Sequence, residues 1–163
     1  TQKRWRSSSP TGYSSKAMTG LITTDTAQTL RRVLLGIAAF GIVGTTVELL
    51  LIGHYEELAQ WPPLVLLVLT ALGIIAIVVK PTPRTLQLFR FLMVLVVLSS
   101  LAGIYFHLSS NIGFRTETNP DLEGFALFWR AIRGGVPLLA PGVMAQVGLL
   151  GLAATFRHPV LKK

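Results

Sequence analysis

The sequence contains no cysteine. Disulfides, thiolate catalysis and cysteine-ligated metals are therefore excluded. Charge is scarce too, at 13% of residues, where an ordinary soluble domain carries about 25%. There is no Gly-x-Ser-x-Gly, no His-Glu-x-x-His, no phosphate-binding glycine loop and no aspartate pair within an apolar run. Reactions that depend on those arrangements have no foothold here. No internal repeat is detectable.

What the chain has is apolar length. Hydrophobic residues make up 51% of its 163 positions. A helix needs about 20 mostly apolar residues to cross the hydrocarbon core of a bilayer. Four stretches meet that requirement, at about 33–53, 61–79, 86–106 and 136–156. The first is interrupted by Glu48, and the third carries Arg90 near its start. The expected fold is thus an all-α integral membrane protein with four transmembrane helices. Thr29-Leu30-Arg31-Arg32 ahead of the first run departs from a twin-arginine export signal at Leu30. Three further apolar runs also argue against a cleaved signal.

Orientation follows from the cations, which concentrate on the cytoplasmic side of short loops. With the N-terminus inside, 12 of the 15 Lys and Arg residues fall on the inner side, and only Arg115, Arg130 and Arg133 fall outside. The expectation is a multi-pass protein of the bacterial inner membrane with both termini cytoplasmic. The net charge of +8 does not indicate nucleic acid, because the basic residues sit at span ends rather than along one soluble face. Most acids lie toward the outside: Glu48, Glu56, Glu57, Glu117, Asp121 and Glu123.

Two units are expected. Residues 1–29 form a basic, Ser/Thr-rich cytoplasmic tail, disordered on its own. Residues 30–163 form the four-helix transmembrane domain. "KPTPRT" makes a short turn between spans two and three. A long outer loop, roughly 107–135, contains "NPDLEGFALFWRAIRGG". Asn119 can cap a helix, Pro120 suits its first position and Gly134 can end it. Leu122, Phe125, Phe128, Trp129 and Ile132 share one face. This reads as a short amphipathic helix, lying either in the outer interface or as a lid on the bundle.

The polar groups within the spans are the candidate sites. Ala38, Gly41, Thr45 and Glu48 share one side of span one, and small residues on a stripe permit close helix approach. Glu48 is expected to make an interhelical polar contact, with Ser100 of span three as its partner. Gln146 near the middle of span four is a third candidate for such a contact. Ser100, Gly103 and His107 share a side of span three. His54 and His107 lie at similar depth. They could ligate a b-type haem, or a metal ion together with Glu56 or Glu57. If span one stays helical to residue 54, however, His54 points away from the Glu48 face. Tyr55, Trp61, Tyr105 and Trp129 form an outer aromatic belt.

The leading functional expectation is a non-catalytic accessory or assembly subunit packed against other membrane protein subunits and lipid, with no cofactor. The first rival is a haem- or metal-binding redox protein using His54 and His107. The second is a small proton-linked transporter using Glu48 and Gln146.

Overall fold

The computed structural model describes residues 15–136 and 138–162. Every regular element among them is helical. Helix α1 spans Ser15–Leu51, α2 Trp61–Val79, α3 Pro83–Thr118, α4 Gly124–Ile132 and α5 Leu139–Thr155. A short 3-10 helix, Leu58–Gln60, leads into α2. Three helices are long and apolar enough to cross a membrane, over Thr26–Leu51, Leu58–Val79 and Pro83–Thr118. The fourth apolar helix, α5, has 17 residues, or about 26 Å at the α-helical rise.

Helix α5 is the centre of the bundle. It packs against α1 on one side and α3 on the other, while α2 closes the ring between α1 and α3. There is no close backbone approach between α1 and α3 among the described residues. Close packing on α5 depends on glycine. A Cβ added at Gly148 would stand 2.7 Å from Val97 Cγ2 and 2.9 Å from the Met93 carbonyl oxygen. One added at Gly151 would collide with the Met93 thioether. On the other side, a Cβ at Gly41 of α1 would meet Val147 at 3.0 Å. The stripe of Ala38, Gly41 and Thr45 does face a neighbouring helix, and Ala38 and Thr45 are buried. That neighbour is α5. In the same way a Cβ at Gly73 of α2 would lie 2.8 Å from the Phe89 ring of α3.

Three boundaries differ from the sequence expectation. Helix α1 begins at Ser15, so residues 15–29, read as part of the polar tail, are helical. The disorder expected of residues 1–14 falls outside the described residues. Helix α3 does not stop near residue 106 but continues three more turns to Thr118. Its extension "HLSSNIGFRTET" has no proline, and Gly113 alone does not end a helix. The stop comes at Asn119, which precedes Pro120 and is thereby disfavoured from the helical region. Helix α4 starts at Gly124 rather than Pro120, because residues 119–122 form a turn closed by the Leu122 N–H on the Asn119 carbonyl, 3.1 Å. Its Ala131 is buried against the bundle, while Phe125 and Trp129 stack on each other and are exposed.

At the end of the bundle where α5 finishes, the Arg31 guanidinium donates to the carbonyls of Phe156 and Arg157, at 3.5 and 3.3 Å. Those carbonyls lie at and just beyond the C-terminal end of α5, where a cation satisfies acceptors the helix leaves open. Burial, with the neighbouring Arg31 charge, pushes the His158 imidazole below its usual range.

A substitution pair tests the close approach on α5. Gly148→Leu should destabilise the protein by roughly 1–3 kcal/mol or more through overpacking. Gly142→Ala, where an added Cβ meets nothing within 4 Å, should be neutral or slightly stabilising, as expected for alanine in a helix. Thermal unfolding in detergent measures both. Equal melting temperatures for the two variants would disprove tight packing at Gly148.

Candidate functional site

The two ends of the bundle differ. At the end where α1 finishes and α2 begins, the helices do not close on each other. They leave a cavity of about 490 Å³ between Leu49 of α1, Pro62 and Pro63 of α2, the middle of α3, and Ala140, Pro141 and Met144 of α5. Its walls are mostly apolar. Its polar groups are His54, Gln60, Ser99, Ser100 and His107.

His54 arrives there through a helix terminus. Gly53 has φ +68, a left-handed conformation that only glycine adopts without cost. The Gly53 N–H donates to the Leu50 carbonyl at 3.2 Å, and the His54 N–H to the Leu49 carbonyl at 2.8 Å. This pair of bonds is a Schellman C-cap with Gly53 at C′ and His54 at C″. The helix therefore ends at Leu51, and the chain turns before His54 instead of carrying it around the helix. The sequence expectation that His54 points away assumed an uninterrupted helix, and the cap removes that premise. The usable signal was Gly53 itself, directly after the last apolar residue.

His107 comes from the face of α3 that carries Ser100 and Gly103, and all three line the cavity. The rings of His54 and His107 approach to 6.3 Å between centroids, inclined by 44°. Glu56 and Glu57 do not join them. Both are exposed and off the cavity wall. The Glu57 N–H donates to Gln60 Oε1 at 3.2 Å, a capping contact at the start of the 3-10 helix. Among the described residues no group of three or more His, Cys, Asp or Glu side chains converges as a metal site.

The remaining polar candidates part company. Ser100 does make an interhelical contact, but its hydroxyl donates to the Pro141 carbonyl of α5, not to Glu48. Close approach explains the choice. A Cβ added at Gly103, one turn along α3, would lie 3.3 Å from Pro141 Cβ, so the two helices meet there. Glu48 is half-buried, and its carboxyl group makes no hydrogen bond among the described residues; its backbone carbonyl accepts from the Ile52 N–H at 3.0 Å. Its register is informative. Gly41 packs on Val143 and Val147 of antiparallel α5, so Glu48, two turns further on, stands level with the N-terminal end of α5. Helix N-termini stabilise carboxylates. The Gln146 side chain makes no hydrogen bond among the described residues: it is exposed at the middle of α5.

A residue that sequence reasoning missed holds the cavity's outer rim. Asn111, one turn past His107, is buried. Its amide forms a two-point bond with Val136: the Val136 N–H donates to Oδ1 at 3.0 Å, and Nδ2 donates to the Val136 carbonyl at 2.9 Å. That fastens the segment before α5 to α3. The position lay in what read as a loop, so nothing marked its side chain as inward.

No protein-family model, curated protein or solved structure matches this chain.

The absence of cysteine gives a clean background for a proximity test. The double variant His54→Cys/His107→Cys should cross-link efficiently with a short dithiol-reactive reagent. Adding Gly53→Val should lower the yield and cost roughly 1–2 kcal/mol of stability, because a side chain is strained in the left-handed region. Undiminished cross-linking in the triple variant would mean that the cap does not position residue 54.

Proposed function

We propose that the chain is a non-catalytic accessory or assembly subunit of a larger bacterial inner-membrane complex, with four membrane spans and both termini cytoplasmic. The observation that carries this reading is Gln146. It lies at the middle of an apolar helix, exposed, and its side chain makes no hydrogen bond among the described residues. A primary amide facing hydrocarbon is unsatisfied and costly. In membrane bundles such groups act as glue between helices. The surrounding face suits a close neighbour, since Gly142, one turn away, has open space where a side chain would be. A second subunit seated on α5 would satisfy the amide and use that space.

The four-span topology rests on α5 running beside α1 from the level of Arg31 to that of Glu48, so that a bilayer holding α1 holds α5 as well. Orientation rests on the distribution of Lys and Arg. The outward aromatic face of α4, with Phe125, Phe128 and Trp129 exposed, fits a helix lying in the outer interface rather than a lid. The rival carrier reading on Glu48 draws no support from Gln146. One residue is level with the end of α5 and the other faces outward, so the two share no pathway.

Gln146→Leu should weaken association with the partner by about 0.6–2 kcal/mol while leaving the monomer folded. Co-purification in mild detergent and the native mass of the purified complex measure this. Unchanged association would remove the ground for the proposal, and a homo-oligomer without any foreign subunit would replace it. For orientation, reporters at residues 115 and 163 should report outside and inside respectively. The reverse pattern would overturn the topology.

A further inference from the structure

We infer that the outer cavity is a two-imidazole site for a metalloporphyrin, with His54 and His107 as its axial ligands. This does not depend on the accessory-subunit reading, which rests on the outer face of α5. Three observations converge on it.

The first is the spacing of the rings. Their centroids are 6.3 Å apart, and no hydrogen bond joins them among the described residues. A direct N–H···N bond of about 3 Å would hold the centroids roughly an ångström closer. Two metal–nitrogen bonds of about 2.0–2.1 Å, plus the radius of each ring, reproduce a separation of roughly 6 Å. The inclination of 44° is compatible, because each axial imidazole is free to rotate about the axis through the metal.

The second is the number of ligands. Zinc and similar ions bound directly by protein take three or four side chains. Here two histidines converge and the nearby carboxylates stay outside. A porphyrin brings four nitrogens of its own and leaves two axial positions, which histidine or methionine commonly fills.

The third is the space. A bare ion needs no cavity of 490 Å³. That volume falls within the range of about 300–1,000 Å³ that holds cofactor-sized ligands. The walls contributed by Leu49, Pro62, Pro63, Phe106 and Met144 are those an apolar macrocycle requires. The Ser100 hydroxyl is already engaged by Pro141, which leaves the half-buried Ser99 as the hydroxyl on the wall free to bond a polar edge of the ligand.

Haemin titration of the purified full-length chain in detergent tests the inference. Saturation should occur at one haemin per chain, with the sharp Soret and resolved visible bands of six-coordinate low-spin iron. His54→Ala and His107→Ala should each weaken binding by about tenfold or more and leave a five-coordinate spectrum that added imidazole restores. His107→Met retains a ligand of similar size, and should shift the bands without abolishing saturation, even if an alanine variant fails to fold. A broad Soret band like that of haemin in protein-free micelles would overturn the inference. So would unchanged spectra in folded alanine variants, or Zn²⁺ or Cu²⁺ binding to the two histidines without haemin saturation.

Discussion

The structure depends on how closely α5 can approach its neighbours. In a bilayer, burying apolar surface between helices gains little over burying it in lipid, so packing contacts and polar links must hold the bundle together. Gly148 lets α3 lie against α5 with backbone nearly in contact, and Gly151 makes room for the Met93 and Phe89 side chains. Gly41 does the same for α1. With those three positions filled by branched side chains, α5 could not sit between its neighbours, and the ring would open. The same residues that make α5 short of side-chain bulk make it an effective centre.

The cavity is a consequence of where that closeness stops. Away from the cavity, Leu67, Leu86, Met93, Val96 and Val147 are fully buried and fill the middle of the ring. Around the cavity α5 offers Ala140, Pro141 and Met144, and α2 offers Pro62 and Pro63. Small and ring-closed side chains do not reach across to replace the missing α1–α3 contact. Prolines at helix starts cost little, because the N–H they lack would be unsatisfied there anyway. The opening is nevertheless held in shape. Ser100 fastens α3 to the Pro141 carbonyl, Asn111 fastens the segment before α5, and the Gly53 cap sets the direction of His54. An unfilled space with three separate fastenings around its rim is a preorganised one, and preorganisation lowers the cost of taking up a ligand.

Much of the fold was legible in the sequence because helix periodicity and apolar length are local properties. The stripe of Ala38, Gly41 and Thr45 and the shared face of Ser100, Gly103 and His107 follow from 100° per residue alone. What failed was non-local. That α1 meets α5 and not α3 depends on the order of helices around the ring, which no single stripe encodes. The partner of Ser100 was therefore misassigned to Glu48. The outer end of α3 was cut short because polar residues after an apolar run resemble a loop, whereas Asn111 stays helical to fasten Val136. His54 was misplaced by extending α1 two residues too far. One glycine decides whether that histidine faces the cavity or lipid.

The unpaired groups divide by the surroundings they meet. Glu48 is half-buried at the open end of the bundle, level with the end of α5 where helix N–H groups lack partners. A carboxylate there needs no salt bridge to be tolerated. Gln146 has neither resource. It stands at the middle of a helix whose own N–H and C=O groups are paired internally, and on the side turned away from the bundle. No helix end is nearby. The more strongly polar residue is thus the better accommodated of the two within this chain, and the neutral amide is left with neither a helix end nor a side-chain hydrogen bond among the described residues.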